Sequence, residues 1–322
     1  MPKSISPEAA VSLIERLTGA KPGYRRAHAR GLILQGIFQP APEARSLSIA
    51  EHLQGAPIPC LVRFSNASAN PCSPDRQSAT VGRVVGLAIR FTLPSGAYAT
   101  WGAINIRAFP ARTPDEFLAL SSAQASGKGG KPNMLRLLWH VVRHLHILAS
   151  IKSIKGLKPS GSFAMETYRG LHTYYFIDAK GARKPFRYQW VPRLAPVPLS
   201  PEEAEARPGQ YLLEEIRARL KLGALSWDLV AQFPEPGDAL DDPSVAWPDE
   251  RSKALLGRLI LDGVHPDQRA VENLVFDPTG VVPGIALSED PILKYRSLAY
   301  GVSFERRSKE TRVEPAPADM GQ

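Results

Sequence analysis

Residues His172-Thr-Tyr-Tyr-Phe-Ile-Asp178-Ala-Lys-Gly181-Ala-Arg-Lys-Pro-Phe-Arg-Tyr-Gln-Trp190 set two aromatic-rich runs around a short Ala-Lys-Gly turn. Such residues suit a pleated surface, and a turn of this length joins antiparallel neighbours, so the stretch reads as a β-hairpin added to a larger sheet. The other strands are legible too. Residues 57–66 and 82–91 are rich in β-branched and aromatic side chains, and Leu93-Pro-Ser-Gly96 makes a turn before a strand over 98–106. Residues 24–38 pass from basic into apolar residues, as a loop entering a strand does, with His28 at the entrance. Residues 226–233 and 254–261 read as the last strands. Strands joined by short turns imply an antiparallel sheet or barrel.

Helices surround this set. Ser6 caps a helix over 6–17 with Pro7 next, and Thr113-Pro114-Asp115-Glu116-Phe117 opens another with a cap, a proline and first-turn acids. Residues 134–154 form a basic helix whose Leu135, Leu138, Trp139, Val142, Leu145, Leu148 and Ile151 recur every three or four residues, the spacing of a face packed on a core. Only His140 and His144 share a face, and no glutamate stands where a zinc protease needs one. These histidines, with His146, therefore read as solvated, a peripheral membrane contact being the alternative. Ser200-Pro201 starts a helix that restarts after Pro208 and runs to Leu220. Residues 122–132 read as a mobile Gly/Lys-rich loop, and the tail beyond Lys309 as disordered.

With 322 residues, either two domains or one large barrel with appended helices fits. The parts favour an α+β chain: an N-terminal helix over 1–20, an antiparallel sheet or barrel over 21–308 with a helical insertion near 133–155, and a flexible tail over 309–322. No apolar run approaches the ~20 residues of a membrane span, and the N-terminus carries no basic-then-apolar leader, so a cytoplasmic location is expected. Cys60 and Cys72 are too few for a disulfide framework. The net charge of +9 comes without any nucleic-acid motif.

The chemistry concentrates near the C-terminus. Asp290-Pro291 reads as an N-cap with proline at the first helical position, followed by helix-compatible residues to Arg307. On that helix Arg296 stands one turn before Tyr300. A guanidinium beside a phenol oxygen favours phenolate, a hard anionic ligand for ferric iron. The same spacing also describes an ordinary surface pair worth roughly 0.2–0.5 kcal/mol, and a lone histidine such as His28 is more often structural than catalytic.

Collinearity decides between these readings. Arg25-x-x-His28-Ala-Arg-Gly31, Val62-Arg63-Phe64-Ser65, Gly86-Leu-Ala-Ile-Arg-Phe91, His172-Thr-Tyr-Tyr, Phe276-Asp-Pro278-x-x-x-Val282-Pro283-Gly284-Ile285 and Asp290-Pro-Ile-Leu-x-x-Arg296-x-x-x-Tyr300 occur in the order found in haem catalases. The chain most resembles the small catalase-related peroxidases of bacteria. That resemblance implies the closed, catalase-like antiparallel β-barrel and haem, of the b type, with Tyr300 as proximal iron ligand and Arg296 its activating partner, linked onward to His172 and Asp290. It implies His28 over the distal face, oriented by Ser65, with Arg25, Arg63 and Arg307 on the propionates and Phe117 near the distal pocket.

One departure matters. Catalases carry an asparagine beside the distal histidine, and here Ile104 takes that position with Asn105 adjacent. Strand alternation points Asn105 away unless a bulge turns it inward. The chain also lacks the N-terminal arm and long C-terminal helical region of full-length catalases, so a monomer or small homo-oligomer is expected. The implied activity is peroxidase, on H2O2 or an organic hydroperoxide with an unknown electron donor, and weak disproportionation. Two alternatives remain: a hydroperoxide rearrangement like that of allene oxide synthases, and a haem-binding barrel without turnover.

Overall fold

The computed structural model describes residues 5–18, 20–75, 83–125 and 133–312. Eight antiparallel strands close on themselves: β1 (Gly31–Pro40), β2 (Ile58–Asn66), β3 (Val85–Thr92), β4 (Tyr98–Ile104), β5 (Tyr168–Ile177), β6 (Arg183–Pro192), β7 (Leu225–Gln232) and β8 (Lys253–Val264). Neighbours run β4-β3-β2-β1-β8-β7-β6-β5, and Ile104 opposite Arg169 closes the ring. A short β9 (Ile285–Leu287) pairs with Tyr174–Phe176 of β5. The hairpin is β5–β6, as its aromatic runs predict. Sequence reading missed β9, because three residues carry no periodicity.

Side-chain alternation gives each strand an inner and an outer face. Inside, Leu32, Phe64, Leu87 and Ala103 sit across from one another on four successive strands, and so do Leu34, Val62, Ile89 and Trp101. Trp190, Trp227, Tyr168 and Tyr188 fill the space from the other half, with Trp101 and Tyr188 centred 4.6 Å apart. The barrel interior is thus a packed core. A functional site has to lie on its outer surface.

On the outer face of β1–β4, two further rows run across the strands: Gly31, Ser65, Gly86 and Ile104, then Ile33, Arg63, Ala88 and Gly102. Most of these are small, which leaves a shallow bed. Over it lie α7 (Gln268–Glu272) and α8 (Pro291–Lys309), with Val271 and Phe276 packing on Ile33. The capping reading of Asp290 holds, and α8 continues two residues past Arg307. Helix α1 (Pro7–Thr18), capped by Ser6, braces α8 through Glu15 and Arg306, 2.6 Å apart. Glu310 also pairs with Arg26 at 2.6 Å, so the chain just beyond Lys309 is tied down, while residues 313–322 lie outside the described ones.

Two expectations about the middle of the chain are corrected. Helix α2 (Pro114–Ala125) extends into the stretch read as a loop, of which residues 126–132 lie outside the described ones. The basic helix is two, α3 (Met134–Arg143) and α4 (Ile147–Lys155), separated at His144–His146. Its apolar residues do not pack on the core: Leu135, Leu138, Trp139 and Val142 of α3 are exposed, whereas His140 is buried. The histidines are not solvated either. His146 Nε2 and His144 Nδ1 lie 3.0 and 3.4 Å from the Glu116 carboxylate on α2. Those contacts hold the polar side of α3 against the protein and turn its apolar side out.

Candidate functional site

The strongest feature is a line of four side chains. Asp290 divides its two oxygens: Oδ1 accepts from the backbone N–H groups of Ile292 (2.8 Å) and Leu293 (3.2 Å), capping α8, while Oδ2 accepts from His172 Nδ1 at 2.6 Å. Arg296 Nη1 then donates to His172 Nε2 at 2.9 Å, and Arg296 Nη2 donates to the Tyr300 hydroxyl oxygen at 2.6 Å. Guanidinium has no acceptor, so Nε2 must accept and the ring proton must sit on Nδ1, facing the carboxylate. Every contact in the line is therefore complementary. Burial lowers the pKa of His172 more than Asp290 raises it, which keeps the ring neutral, as that tautomer requires. For Arg296 burial pulls the pKa down, but Tyr300, Tyr174 and Tyr188 together outweigh it and raise the guanidinium above its ordinary value.

The backbone explains how His172 gets there. The β5–β6 register shifts between Gly170 and Tyr174, and this irregularity takes the residues around His172 off the regular ladder. Its side chain meets Asp290 and Arg296 with 3% exposure.

At the Ser65 and Gly86 end of the bed lies His28, whose Nδ1 is 2.9 Å from Ser65 Oγ. It is the sole non-glycine with positive φ (+54°) among the described residues, a conformation that costs about 1–3 kcal/mol. Arg63 holds it there, donating to the carbonyls of His28 (2.9 Å) and Ala29 (3.3 Å). Gly86, beside Ser65 in the outer row, makes room for the ring: a Cβ there would lie 2.9 Å from His28 Cε1. Burial first, then the charges of Arg63, Arg296 and Arg25, pull the His28 pKa down to about 3. The imidazole is neutral near pH 7, with Nε2 available as a base when Nδ1–H faces Ser65.

Arg25, Arg63 and Arg307 converge on the end of α7. Arg25 pairs with the Glu272 carboxylate and donates to the carbonyls of Glu272 (2.6 Å) and Leu274 (2.9 Å). Arg63 reaches the same carboxylate at 3.3 Å, and Arg307 donates to the Glu272 and Asn273 carbonyls at 3.1 Å each. Burial tends to raise the Glu272 pKa, but Arg63, Arg25 and Arg312 together overcome it and hold it low. Arg25 is lowered by burial and then by Arg63. Three guanidinium groups face one carboxylate. Positive charge therefore exceeds negative at this end of α7, an excess that a dicarboxylate ligand complements. Glu272 was missed in the sequence because a lone glutamate in a short helix carries no motif.

Phe117 packs on Phe109, ring centres 5.3 Å apart, and Phe109 joins the cluster that also holds Ile104. Asn105 does not substitute for a distal amide. Its Oδ1 accepts from Val85 N at 3.0 Å and its Nδ2 donates to Arg83 O at 3.1 Å and Glu166 at 3.3 Å. Ile104 instead shares the outer row with Ser65 and Gly86, giving that end of the bed an apolar side chain.

The family model described as Catalase matches residues 12–312. The chain belongs to the catalase family. Members of this family bind haem. The chain is 33% identical over 319 residues to the catalase-related peroxidase of Mycolicibacterium paratuberculosis, covering 98% of this chain and 99% of that one. It is 29% identical to the catalase-related peroxidase of Synechococcus elongatus, covering 95% and 89%. Among solved structures, a bacterial catalase matches with TM-score 0.78 and 23% identity over 92% of this chain, and a fungal catalase with TM-score 0.79 and 19% identity over 95%. The chain spans 60% and 63% of those two catalases, a likeness of fold.

The residues fit the catalase cofactor on three counts taken from this chain. The arginine cluster carries the surplus positive charge that propionates would meet. The bed between His28 and α8 is lined by small residues, and a Cβ added at Gly102 would touch nothing within 4 Å. The Tyr300 oxygen has one hydrogen-bond partner among the described residues, a guanidinium, which leaves it suited to an electropositive metal.

Proposed function

We propose that this protein is a haem-dependent peroxidase in which Tyr300 is the proximal iron ligand and His28 the distal acid–base group. The observation that carries this reading is the unbroken line Asp290–His172–Arg296–Tyr300, with the His28–Ser65 pair near enough that the Arg296 charge helps lower the His28 pKa. Haem of the b type, when bound, supplies the iron at which a peroxide O–O bond is cleaved and the electrons are exchanged. All other roles fall to the chain. Arg25, Arg63 and Arg307 hold the propionates, Arg63 and Ser65 fix the His28 ring, and Phe117 backs the pocket through Phe109. Neutral His28 takes a proton from the incoming hydroperoxide and returns it to the departing oxygen. Arg296 stabilises negative charge on the Tyr300 oxygen, and His172, tied to Asp290, keeps the guanidinium in place.

Substrate preference follows from the distal wall. With Ile104 where catalases carry asparagine and Asn105 committed elsewhere, no amide is provided to position a second H2O2, so reduction by an external electron donor outruns disproportionation. The same apolar side chain favours organic hydroperoxides, either reduced or rearranged as allene oxide synthases do. The test uses purified protein loaded with haem. H2O2 and a fatty-acid hydroperoxide are supplied with and without a reductant, and products are identified. Tyr300→Phe should lose the tyrosinate-iron spectrum, and His28→Ala should keep the spectrum but lose turnover. Rapid H2O2 consumption without reductant, or a wild-type spectrum in Tyr300→Phe, overturns the assignment.

A further inference from the structure

We infer that the exposed face of α3, continued onto the start of α4, docks this protein on an anionic lipid surface. The helix is inverted relative to a core-packed one. Its buried residue is His140, set 4.5 Å ring to ring from His144, which faces Glu116, while Met134, Leu135, Leu138, Trp139 and Val142 point outward. Leu135 is 81% exposed and Trp139 63%. Beyond the turn, Leu145 and Leu148 are exposed as well. Isolated exposed leucines are ordinary, but a continuous strip of this length marks a surface that is covered in use.

Charge selects what covers it. Between Glu116 and Glu166 the sequence holds no acidic residue and seven lysines and arginines. Arg136 and Arg143 flank the strip on α3, with the Arg143 guanidinium 5.3 Å from the centre of the Trp139 ring, and Lys152, Lys155 and Lys158 follow. A groove between α2 and α3 is lined by Arg136, Arg143 and His140, whose Nε2 is buried without a partner among the described residues. Such a groove accepts a phosphate oxygen. An apolar strip with tryptophan, flanked by cations on a stretch of chain that carries no acid, is the composition that inserts at a lipid interface and is drawn to anionic head groups. A second copy of this chain is a poor occupant, since two like faces would bring the same positive charges together.

The reading is independent of the haem chemistry, and its test reads the protein alone. The full chain is mixed with vesicles of phosphatidylglycerol and phosphatidylcholine, or of phosphatidylcholine only, and pelleted. Binding to the anionic vesicles should be at least about tenfold stronger and should weaken as salt is raised from about 0.1 to 0.5 M. Trp139 reports insertion directly. The other four tryptophans are buried, so a blue shift of emission on adding vesicles comes from this side chain. Leu135→Asp with Leu138→Asp should reduce pelleting at least about tenfold, with peroxide turnover in solution unchanged. Arg136→Glu with Arg143→Glu should remove the preference for anionic vesicles. Absence of pelleting, or pelleting unchanged by the aspartates, overturns the inference. So does a lipid-free dimer that the aspartate pair splits into monomers in sedimentation velocity.

Discussion

Asp290 holds two jobs that one substitution can separate. Asp290→Ala removes the cap on Ile292 and Leu293, worth about 1 kcal/mol, and strands the buried His172 Nδ1–H, worth about 1–3 kcal/mol. The total is roughly 2–4 kcal/mol. With an unfolding entropy of ~2.1 cal/mol/K per residue, 3 kcal/mol lowers the Tm of this chain by roughly 4 °C. Asp290→Asn caps as well as aspartate does, so the first cost disappears. The amide, however, has one oxygen. With that oxygen on the α8 backbone, its NH2 meets the His172 Nδ1–H, and moving the ring proton to Nε2 only turns it against Arg296. One donor faces another in either tautomer. The asparagine variant should therefore be about 1 kcal/mol more stable than the alanine variant, yet both should change the spectrum of the haem-loaded protein and lower its turnover alike. Urea unfolding and visible spectroscopy on both variants check this. An asparagine variant as unstable as the alanine one, or with the wild-type spectrum, refutes the division of labour.

Four further outcomes follow from the site. His28→Ala should lower peroxide turnover about 10²–10⁴-fold in steady-state assays, the range for loss of a positioned acid–base group. His28 titrates near 3 in the folded protein against ~6.5 unfolded, so its contribution to stability is complete above pH ~6.5 and is lost as pH falls toward 3. Thermal unfolding between these limits should thus fall more steeply in ligand-free wild type than in His28→Gln. Gly86→Ala forces a methyl against His28 Cε1 and should reduce turnover without changing the melting temperature of the barrel by more than a degree or two, roughly. Glu272→Ala leaves three clustered guanidinium groups without their carboxylate; it should destabilise the ligand-free protein by about 3 kcal/mol and the haem-loaded protein by less, read as the difference in Tm between the two forms.

Local rules account for much of what the chain announces by itself. Ser6, Thr113, Ser200 and Asp290 each sit where a cap belongs, and each precedes a helix. The aromatic alternation of residues 172–190 predicts β5–β6, and the four-residue spacing of Arg296 and Tyr300 becomes a real hydrogen bond because a helix puts those positions side by side. These features depend on neighbours a few residues away, so the sequence carries them.

What the sequence could not decide depends on residues far apart in it. The histidines at 144 and 146 looked solvated because their partner, Glu116, is on another helix; once it binds them and His140 is buried beside them, the apolar side of α3 has nowhere to go but outward. Glu272 acquires meaning only when Arg25, Arg63 and Arg307 are gathered around it from three separate segments. The same is true of Ile104, which stands in line with Ser65 and Gly86 through the pairing of three strands. Periodicity and capping are set by short-range backbone geometry and can be read along the chain. Which charge meets which, and which face is left uncovered, is set by the closure of the barrel and the placement of the helices on it.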